Sequence, residues 1–252
     1  MKNQIFNFFV FLFVSSLTST TLISCGDDDS NGNSSSVNTN GHDYVDLGLS
    51  VVWATCNIGA AEPWAYGEWF YWGATKTGEN PYYLNTGDGP VASKYNDIDG
   101  KTQLDFSDDA ARVNWGGQWR IPTRGELVEL GSKCLWCWTQ SYKEHKVGGF
   151  IVFKAKSESD KGRIEYYGET SGYSVDNDPH IFLPAASNSY HNVGMRDRDG
   201  EYMSSTGINT FEYTDWGGYY TLDFCYTYSG LDLYISGGSR NVSCSIRPVL
   251  SK

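Results

Sequence analysis

The residues of this chain that are best suited to contacting a ligand lie near its C-terminus, in 231–236 and the loop that follows. Apolar and polar residues alternate there, as in a strand with one buried face. Tyrosine offers rigid amphipathic area, whereas Ser, Gly and Asn adapt their hydrogen bonds, a composition typical of antibody contact loops. We predict a ligand-binding surface formed by Trp216, Tyr219, Asp232, Tyr234, Ser236, Ser239 and Asn241, with the first two as aromatic anchors. An ordinary solvated hairpin is the alternative.

Residues that could support catalysis do not form a recognisable catalytic pattern. Cys134 and Cys137 have the CxxC spacing of redox centres and of half a zinc site, but no second CxxC or nearby histidine completes four ligands. Burial of both thiols beside Trp136 and Trp138 fits their surroundings better. The histidines are scattered, and we identify no Ser/His/Asp set, phosphate-binding loop or paired carboxylates. The sequence therefore predicts a protein that is not an enzyme and has no metal centre.

A calcium site is a weaker alternative. Residues 97–100 resemble part of a calcium loop, but Tyr95 stands at the first ligand position and Phe106 at the bidentate one. A looser site would use Asp97, Asp99, Asp105, Asp108 or Asp109. Asp108 and Asp109 have a simpler interpretation, because they place negative charge at the start of a short helix that runs to Val113. We therefore predict no cofactor, with calcium left open.

Residues 115–130 predict the element that positions the rest of the fold, a sharp entry into a helix. Ile121 precedes Pro122, so its backbone is pushed towards extended conformations. Thr123 and Glu126 form a capping box, and Leu127, Leu130 and Cys134 fall on one helical face. Elsewhere we expect strands in 44–55 and 181–183, a hairpin of 148–155 with 163–167, and mostly loop in 73–109.

The N-terminal residues read as a targeting segment and a tether. Residues 1–24 have the short positive start and short apolar run of a signal peptide, and Leu22-Ile23-Ser24-Cys25 has the form of a bacterial lipobox. Cys25 is therefore the predicted lipidation site, with ordinary secretion as the alternative. Residues 25–42, acidic and then rich in Ser and Asn, predict a flexible tether to a folded domain at 43–252. The acidic run resembles a surface-export signal of Bacteroides-type lipoproteins, which implies an outer-membrane protein on the cell surface.

The charge balance narrows the choice of partners. The formal net charge is −11, and no basic stripe is present to displace counterions, so nucleic acid is disfavoured as a partner. The lipid would be the only membrane attachment. Five cysteines remain besides Cys25, and export permits disulfides among them.

Four ordered motifs carry a family resemblance. They are the Trp119-Arg120-x-Pro122-Thr123-x-x-Glu126 run, residues 44–50 with 53–60, residues 182–186, and residues 204–206 with 245–249. This pattern resembles the Fibrobacter succinogenes major paralogous domain and DUF1566-type proteins, over about residues 43–250. These belong to the wider C-type-lectin-like group, which includes the formylglycine-generating-enzyme fold. The resemblance implies an α+β, C-type-lectin-like fold with short mixed or antiparallel sheets, one or two helices and long loops.

The same resemblance has implications for single residues. Cys56 and Cys134 stand where the family often has cysteine, which favours a disulfide between them. Formylglycine-generating chemistry needs a close cysteine pair near the C-terminus, whereas Cys225 and Cys244 stand 19 positions apart. Lectin-like proteins diversified by retroelements vary the segment before Arg-Pro-Val. Such variation mutates adenines in Asn codons, which can turn Asn into Asp, Tyr, Ser, Gly or Val, among others. In this chain the segment has residues of these types at Asp232, Tyr234, Ser236, Gly237, Gly238, Ser239, Asn241 and Val242.

The sequence thus favours a surface lipoprotein that carries a non-catalytic, lectin-like binding module, with a carbohydrate or a protein on another cell or phage as its ligand. Retroelement diversification of that module is a further hypothesis. One alternative is a structural or adhesive subunit of a surface assembly. The other, disfavoured by the cysteine spacing, is an enzyme of the sulfatase-modifying-factor type.

Overall fold

Short β-strands make up most of the regular structure in the computed structural model, which describes residues 39–81, 83–86, 89–92, 94–96, 98–169, 172–208, 218–228 and 230–252. The strands are β1 (Tyr44–Val45), β2 (Val51–Ala54), β3 (Tyr83–Thr86), β4 (Gly89–Ala92), β5 (Cys134–Thr139), β6 (Gly149–Lys154), β7 (Ile164–Tyr166), β8 (His180–Pro184), β9 (Asp199–Ile208), β10 (Gly218–Thr227), β11 (Gly230–Ser239) and β12 (Val249–Ser251). The α-helices are α1 (Ala110–Trp115) and α2 (Arg124–Lys133). This composition confirms the α+β class.

The strands form four small sheets, ordered β1-β2-β12, β11-β10-β9, β3-β4 and β7-β5-β6-β8. All pairs are antiparallel except β5 with β7, which is parallel. The predicted hairpin of 148–155 with 163–167 is wrong, because β5 lies between β6 and β7. The physical reason is that the apolar run of β5 is buried almost throughout, so it needs a neighbour on each side. The β3–β4 hairpin lies in the stretch that we predicted to be mostly loop.

Helix α2 forms as the sequence predicts. The Thr123 side chain accepts a hydrogen bond from the Glu126 N–H, and the Glu126 carboxylate accepts one from the Thr123 N–H. Arg120 also pairs with Glu126, which ties the segment before the helix to its first turn. Leu127 and Leu130 are buried as predicted. The helix ends at Lys133, so Cys134 begins β5 instead of extending the helical face.

The main core lies between α2, the larger sheet and the inner face of β9–β11. Its large side chains include Trp53, Trp136, Trp138, Phe150 and Phe224. The rings of Trp138 and Phe150 meet edge to face with centroids 5.1 Å apart, a favourable arrangement for aromatic pairs. The three-stranded sheet is therefore held from behind by a rigid aromatic body.

The cysteines are arranged differently from the predicted pairing. Cys56 and Cys134 are both free thiols, so the disulfide inferred from the family resemblance is not formed. The physical reason is their surroundings: Cys134 is fully buried against Leu127 and Leu130 in the main core, whereas Cys56 lies near the Arg247 guanidinium. Burial raises the pKa of the Cys134 thiol to about 12.

The CxxC pair is buried, as predicted. Cys134 and Cys137 are three positions apart in one strand, so their side chains point to opposite faces of the sheet. Cys134 packs into the main core, and Cys137 packs beside Tyr142 and Phe182 on the other face. These two thiols therefore cannot meet in a disulfide or on one metal ion.

Arg247 connects the C-terminal segment to the rest of the fold. It is 1% exposed, and its Nε donates to Asn57 Oδ1 at 2.8 Å. One terminal nitrogen donates to the carbonyls of Ala54 and Thr55, at 3.1 and 2.8 Å, and the other to that of Phe182 at 2.8 Å. The planar guanidinium matches this fork of acceptors, which come from two separate parts of the chain, 54–57 and Phe182.

In the part of the chain that the structure describes, no helix has both the length and the apolar character needed to cross a bilayer.

Candidate functional site

The candidate site is the outer face of the β9–β10–β11 sheet. Successive side chains of a strand point to opposite faces, and the inner positions Phe224, Leu231 and Leu233 pack into or against the main core. The outer positions of β11 include Asp232 and Tyr234, which are both exposed, as the alternation in the sequence predicts. Helix α2 lies against all three strands from the inner side. The outer face is thus a polar surface on a rigid support.

Strand register arranges the outer side chains in rows. Asp199, Cys225 and Asp232 form one row, because Cys225 pairs with Asp199 on β9 and with Asp232 on β11. In the next row Asp223 pairs with Glu201 on one side and with Tyr234 on the other. Directly opposite residues of antiparallel strands have Cβ atoms about 5 Å apart. Four carboxyl groups therefore share one small area of the sheet.

A cleft of about 290 Å³ opens over these two rows. The segment before β9 supplies its other wall, with Ser187, Asn188 and His191, and Tyr234 stands at the edge of the cleft. Backbone contacts attach this wall to the sheet: the Ser187 N–H donates to the Asp199 carbonyl at 2.7 Å, and Ser187 bridges to Gly200. The cleft is therefore part of the fold and not a gap between separate elements.

The carboxyl groups of the cleft are shifted towards their neutral forms. Burial, reinforced by the charge of Asp223, raises the pKa of Glu201 to about 7, although a hydrogen bond from Asn188 opposes the shift. Burial also raises the pKa of Asp223, against a hydrogen bond from Ser236, and that of Asp199, against the charges of His191 and Arg198. The Nδ1 of His191 lies 3.8 Å from an Asp199 oxygen. Two adjacent, shielded carboxylates repel each other, so together they favour binding a proton or another cation.

Two polar atoms at the cleft have no hydrogen-bond partner among the described residues, namely Asp223 Oδ1 and Ser187 Oγ. Ser187 is only 1% exposed and lines the cleft. A shielded polar atom that makes no hydrogen bond costs about 1–3 kcal/mol. Such atoms are where a bound molecule can gain most by making hydrogen bonds.

A second hollow of about 250 Å³ lies on the inner side of the β9–β11 sheet. Trp138, Tyr166, Tyr167 and Tyr226 line it, and Tyr226 also lines the cleft. The rings of Trp138 and Tyr226 stack with centroids 5.5 Å apart, and Tyr166 is 37% exposed. Fixed aromatic rings that remain open to solvent offer a flat apolar contact surface.

The structure separates the residues that we predicted to bind ligand. Asp232, Tyr234 and Ser236 share the outer face of β11, and Ser236 hydrogen-bonds to Thr221 and Asp223. Ser239 is the last residue of β11 and Asn241 lies in the turn that follows, where the Asn241 N–H donates to Ser239 Oγ at 3.3 Å. Asp232 and Ser239 are seven positions apart on an extended strand, or about 23 Å, so one small ligand cannot contact both.

Tyr219 is not a surface anchor, and that prediction is wrong. Its side chain is 0% exposed, and its hydroxyl donates to the Val242 carbonyl at 3.1 Å. Its ring stacks on that of Trp72, which is itself covered by the Arg240 guanidinium. This end of the outer face is closed by segments remote in sequence. Trp216, the other predicted anchor, lies outside the described residues.

The carboxyl-rich centre of the cleft was missed by sequence reasoning, which found no paired carboxylates. Glu201 and Asp223 are 22 positions apart, and only the register of β9 and β10 places them side by side. A signal was present in the alternation of Asp199 and Glu201 about a glycine, and of Asp223 and Cys225 about Phe224. That pattern is typical of outward positions on strands, but it does not say which strands are neighbours.

The acidic residues considered for calcium have other partners. Asp99 accepts hydrogen bonds from backbone N–H groups, including that of Tyr95 at 2.6 Å. Hydrogen bonds from Lys101 and then Lys94 lower the pKa of Asp105 to about 2. Asp109 caps α1 by accepting from the Arg112 N–H at 3.0 Å. Asp97 lies outside the described residues, and within those residues no group of three or more His, Cys, Asp or Glu side chains is placed to hold a metal ion.

Comparisons of the chain with protein-family models, with curated proteins and with solved structures found no match.

Proposed function

We propose that this chain is a surface lipoprotein, anchored in the outer membrane through Cys25, whose folded part is a non-catalytic, C-type-lectin-like recognition module. The ligand, a carbohydrate or a protein of another cell or phage, binds in the cleft on the outer face of β9–β11. The observation that carries this proposal is the combination of a polar, half-buried cleft with a sheet held by core on its other face. Such a concave site with a few fixed polar groups is typical of ligand binding.

The state of the thiols favours recognition over sulfatase-modifying chemistry. Cys244 is fully buried, and burial raises its pKa well above the usual range. Burial, aided by the charge of Asp232, also raises the pKa of Cys225. A catalytic cysteine needs a lowered pKa, because the thiolate is the reactive form. Both thiols are therefore in the less reactive state.

A glycan and cell-surface binding screen, run with and without a calcium chelator, tests the proposal. The screen uses the wild-type protein, a cleft variant with Asp232→Ala and Tyr234→Ala, and a control variant with Ser239→Ala and Asn241→Ala. All four residues belong to β11 or the turn after it, but Tyr234 lines the cleft and Asp232 pairs with the cleft residue Cys225, whereas Ser239 and Asn241 are not part of the cleft. We expect the cleft variant to lose ligand capture and the control to retain it, with thermal unfolding of both close to wild type.

Three outcomes would contradict the proposal. Capture that survives in the cleft variant but is lost in the control would place the site in the turn instead of the cleft. If the wild-type protein captures no glycan, cell or phage, with or without chelator, recognition is not the function of this domain. Product formation by the wild-type protein from a captured ligand would contradict the non-catalytic part.

A further inference from the structure

Strand β11 is one edge of its three-stranded sheet, and the two edges of that sheet differ. The other edge, β9, is covered, because Gly200, Tyr202 and Thr206 each form a β-bridge with a segment outside the sheet. Within the described residues, no strand or bridge covers the side of β11 that faces away from β10. Every second residue of a strand points its N–H and C=O to that side, so β11 presents a row of backbone donors and acceptors.

The sequence of β11 has few of the features that usually keep an edge strand from pairing. Such edges are commonly protected by Lys, by Pro, by a bulge or by a charged residue that points inward. Residues 230–239 include no Lys or Pro, their register with β10 is regular, and their one charge, Asp232, is on the outer face. The inward positions are Leu231, Leu233 and Ile235, which are only partly buried. This edge is therefore suited to receive another strand.

An apolar groove of about 320 Å³ runs along the inward side of the same edge. Leu233 and Ile235 of β11, Ile164 of β7 and Val128 of α2 line it. Val128 is 41% exposed although its side chain is apolar. A strand added to β11 would place every second side chain over this groove. The added strand must therefore be apolar at alternate positions.

A second copy of β11 has this pattern and fits in one register. If the two strands pair antiparallel about a twofold axis through Tyr234, that residue meets its own copy, and Leu233 meets Ile235 on the inward side. Asp232 then lies opposite Ser236 and about 14 Å from the other Asp232, beyond the screening length of about 10 Å. Direct pairing of Asp232 with itself would instead place like charges about 5 Å apart. Charge and shape thus favour the register centred on Tyr234.

The same register uses the whole open stretch of the strand. Tyr234 is the middle residue of 231–237, and Gly238 beyond it is buried against the Tyr219 ring. Seven paired residues extend about 23 Å and exchange about six to eight backbone hydrogen bonds. Such a contact is small for a permanent dimer, so we expect reversible association in the micromolar range.

We propose that β11 pairs with β11 of a second copy of this chain, antiparallel and with Tyr234 on the twofold axis. The two three-stranded sheets then form one continuous sheet of six strands. Both clefts open on its outer face, four strand spacings or about 19 Å apart. The pairing does not require a ligand in either cleft.

Sedimentation equilibrium of the full chain in a mild detergent, over micromolar concentrations, measures the association. We expect a reversible rise from the mass of one chain towards twice that mass. Tyr234→Lys should raise the dissociation constant at least about tenfold, because two ammonium groups face each other only in the dimer. Tyr44→Lys, at a comparably exposed tyrosine of β1, is the matched control and should leave the constant unchanged. Thermal unfolding of both variants should stay close to wild type, since both positions are exposed.

Cross-linking under oxidising conditions tests the register. Tyr234→Cys should form a covalent dimer through identical positions, because directly opposite Cβ atoms lie about 5 Å apart, close to the spacing that a disulfide needs. Tyr44→Cys should not exceed the wild-type level, which gives the background from the native thiols.

Three results would overturn the inference. The mass of one chain at every concentration would mean that another segment of this chain, or an unrelated partner, occupies the edge. A dimer that both lysine variants weaken equally would have its contact outside β11. A dimer that Tyr234→Lys weakens, but that Tyr234→Cys does not link, would refute the twofold register through Tyr234.

Discussion

Replacement of Glu201 by Gln isolates the energetic cost of the carboxyl pair. Glu201 has its pKa raised from 4.5 to about 7 by burial and by the charge of Asp223, its neighbour across the β9–β10 ladder. Glutamine has nearly the same shape, and its side-chain oxygen can still accept the hydrogen bond from Asn188. The substitution therefore removes the titration and the charge while leaving the packing in place.

The stability difference depends on pH in a defined direction. Below pH 4.5 Glu201 is protonated in the folded and the unfolded chain alike, so its burial adds no electrostatic cost. Between 4.5 and about 7 the unfolded chain releases the proton first, and the folded state loses stability as the pH rises. The interval from 4.5 to about 7 corresponds to about 3 kcal/mol. The carboxyl is partly open to solvent, which screens the effect, so we expect about 2 kcal/mol.

Urea denaturation of wild type and Glu201→Gln at about pH 4 and about pH 8 measures this difference. We expect the two proteins to be nearly equal in free energy of unfolding at the lower pH, and the variant to be the more stable at the higher one. Glu62→Gln, at an exposed residue, is the control and should change neither value. A variant that is equally stable to wild type at both pH values, or destabilised only at the higher one, would refute the assignment of a raised pKa to Glu201.

Two further substitutions test the support of the site. Arg247→Lys keeps a charge but cannot donate to all of the acceptors on Asn57, Thr55 and Phe182. We therefore expect the free energy of unfolding, measured by urea denaturation, to fall by about 3 kcal/mol or more. A loss below about 1 kcal/mol would show that these hydrogen bonds are dispensable. Thr123→Ala removes the side-chain half of the α2 capping box and should lower the free energy of unfolding by about 1 kcal/mol, whereas an unchanged urea midpoint would mean that the cap contributes nothing.

Short sequence patterns correctly predicted the elements that depend on interactions between residues close together in the chain. The capping box of Thr123 and Glu126 forms from residues three positions apart, so the sequence contains the whole interaction. The alternation in β11 likewise predicted that Asp232 and Tyr234 face outward. By contrast, β6 and β7 are separated by β5, and neighbour relations of this kind depend on which strands need burial on both faces.

The candidate site was only half predictable for the same reason. Strand β11 supplies one edge of the cleft, and its polar residues are visible in the sequence. The centre comes from Glu201 and Asp223, which meet only through the register of two other strands. Tyr219 lies at an outward-facing position of β10, but Trp72 from a distant segment covers its ring. The prediction that Tyr219 is exposed was therefore wrong, because the sequence around Tyr219 contains no sign of Trp72.

The residues of strand β11 form two sets with different roles, one packed against the interior and one exposed. Leu231, Leu233 and Ile235 pack against the interior, so any change there alters folding, whereas Asp232 and Tyr234 can be exchanged at little cost to the folded state. Gly238 marks the limit of this freedom, because an added Cβ would come within 2.9 Å of the Tyr219 ring. Substitutions at every second position of this strand could therefore remodel its exposed surface while the residues between them keep the same scaffold in place.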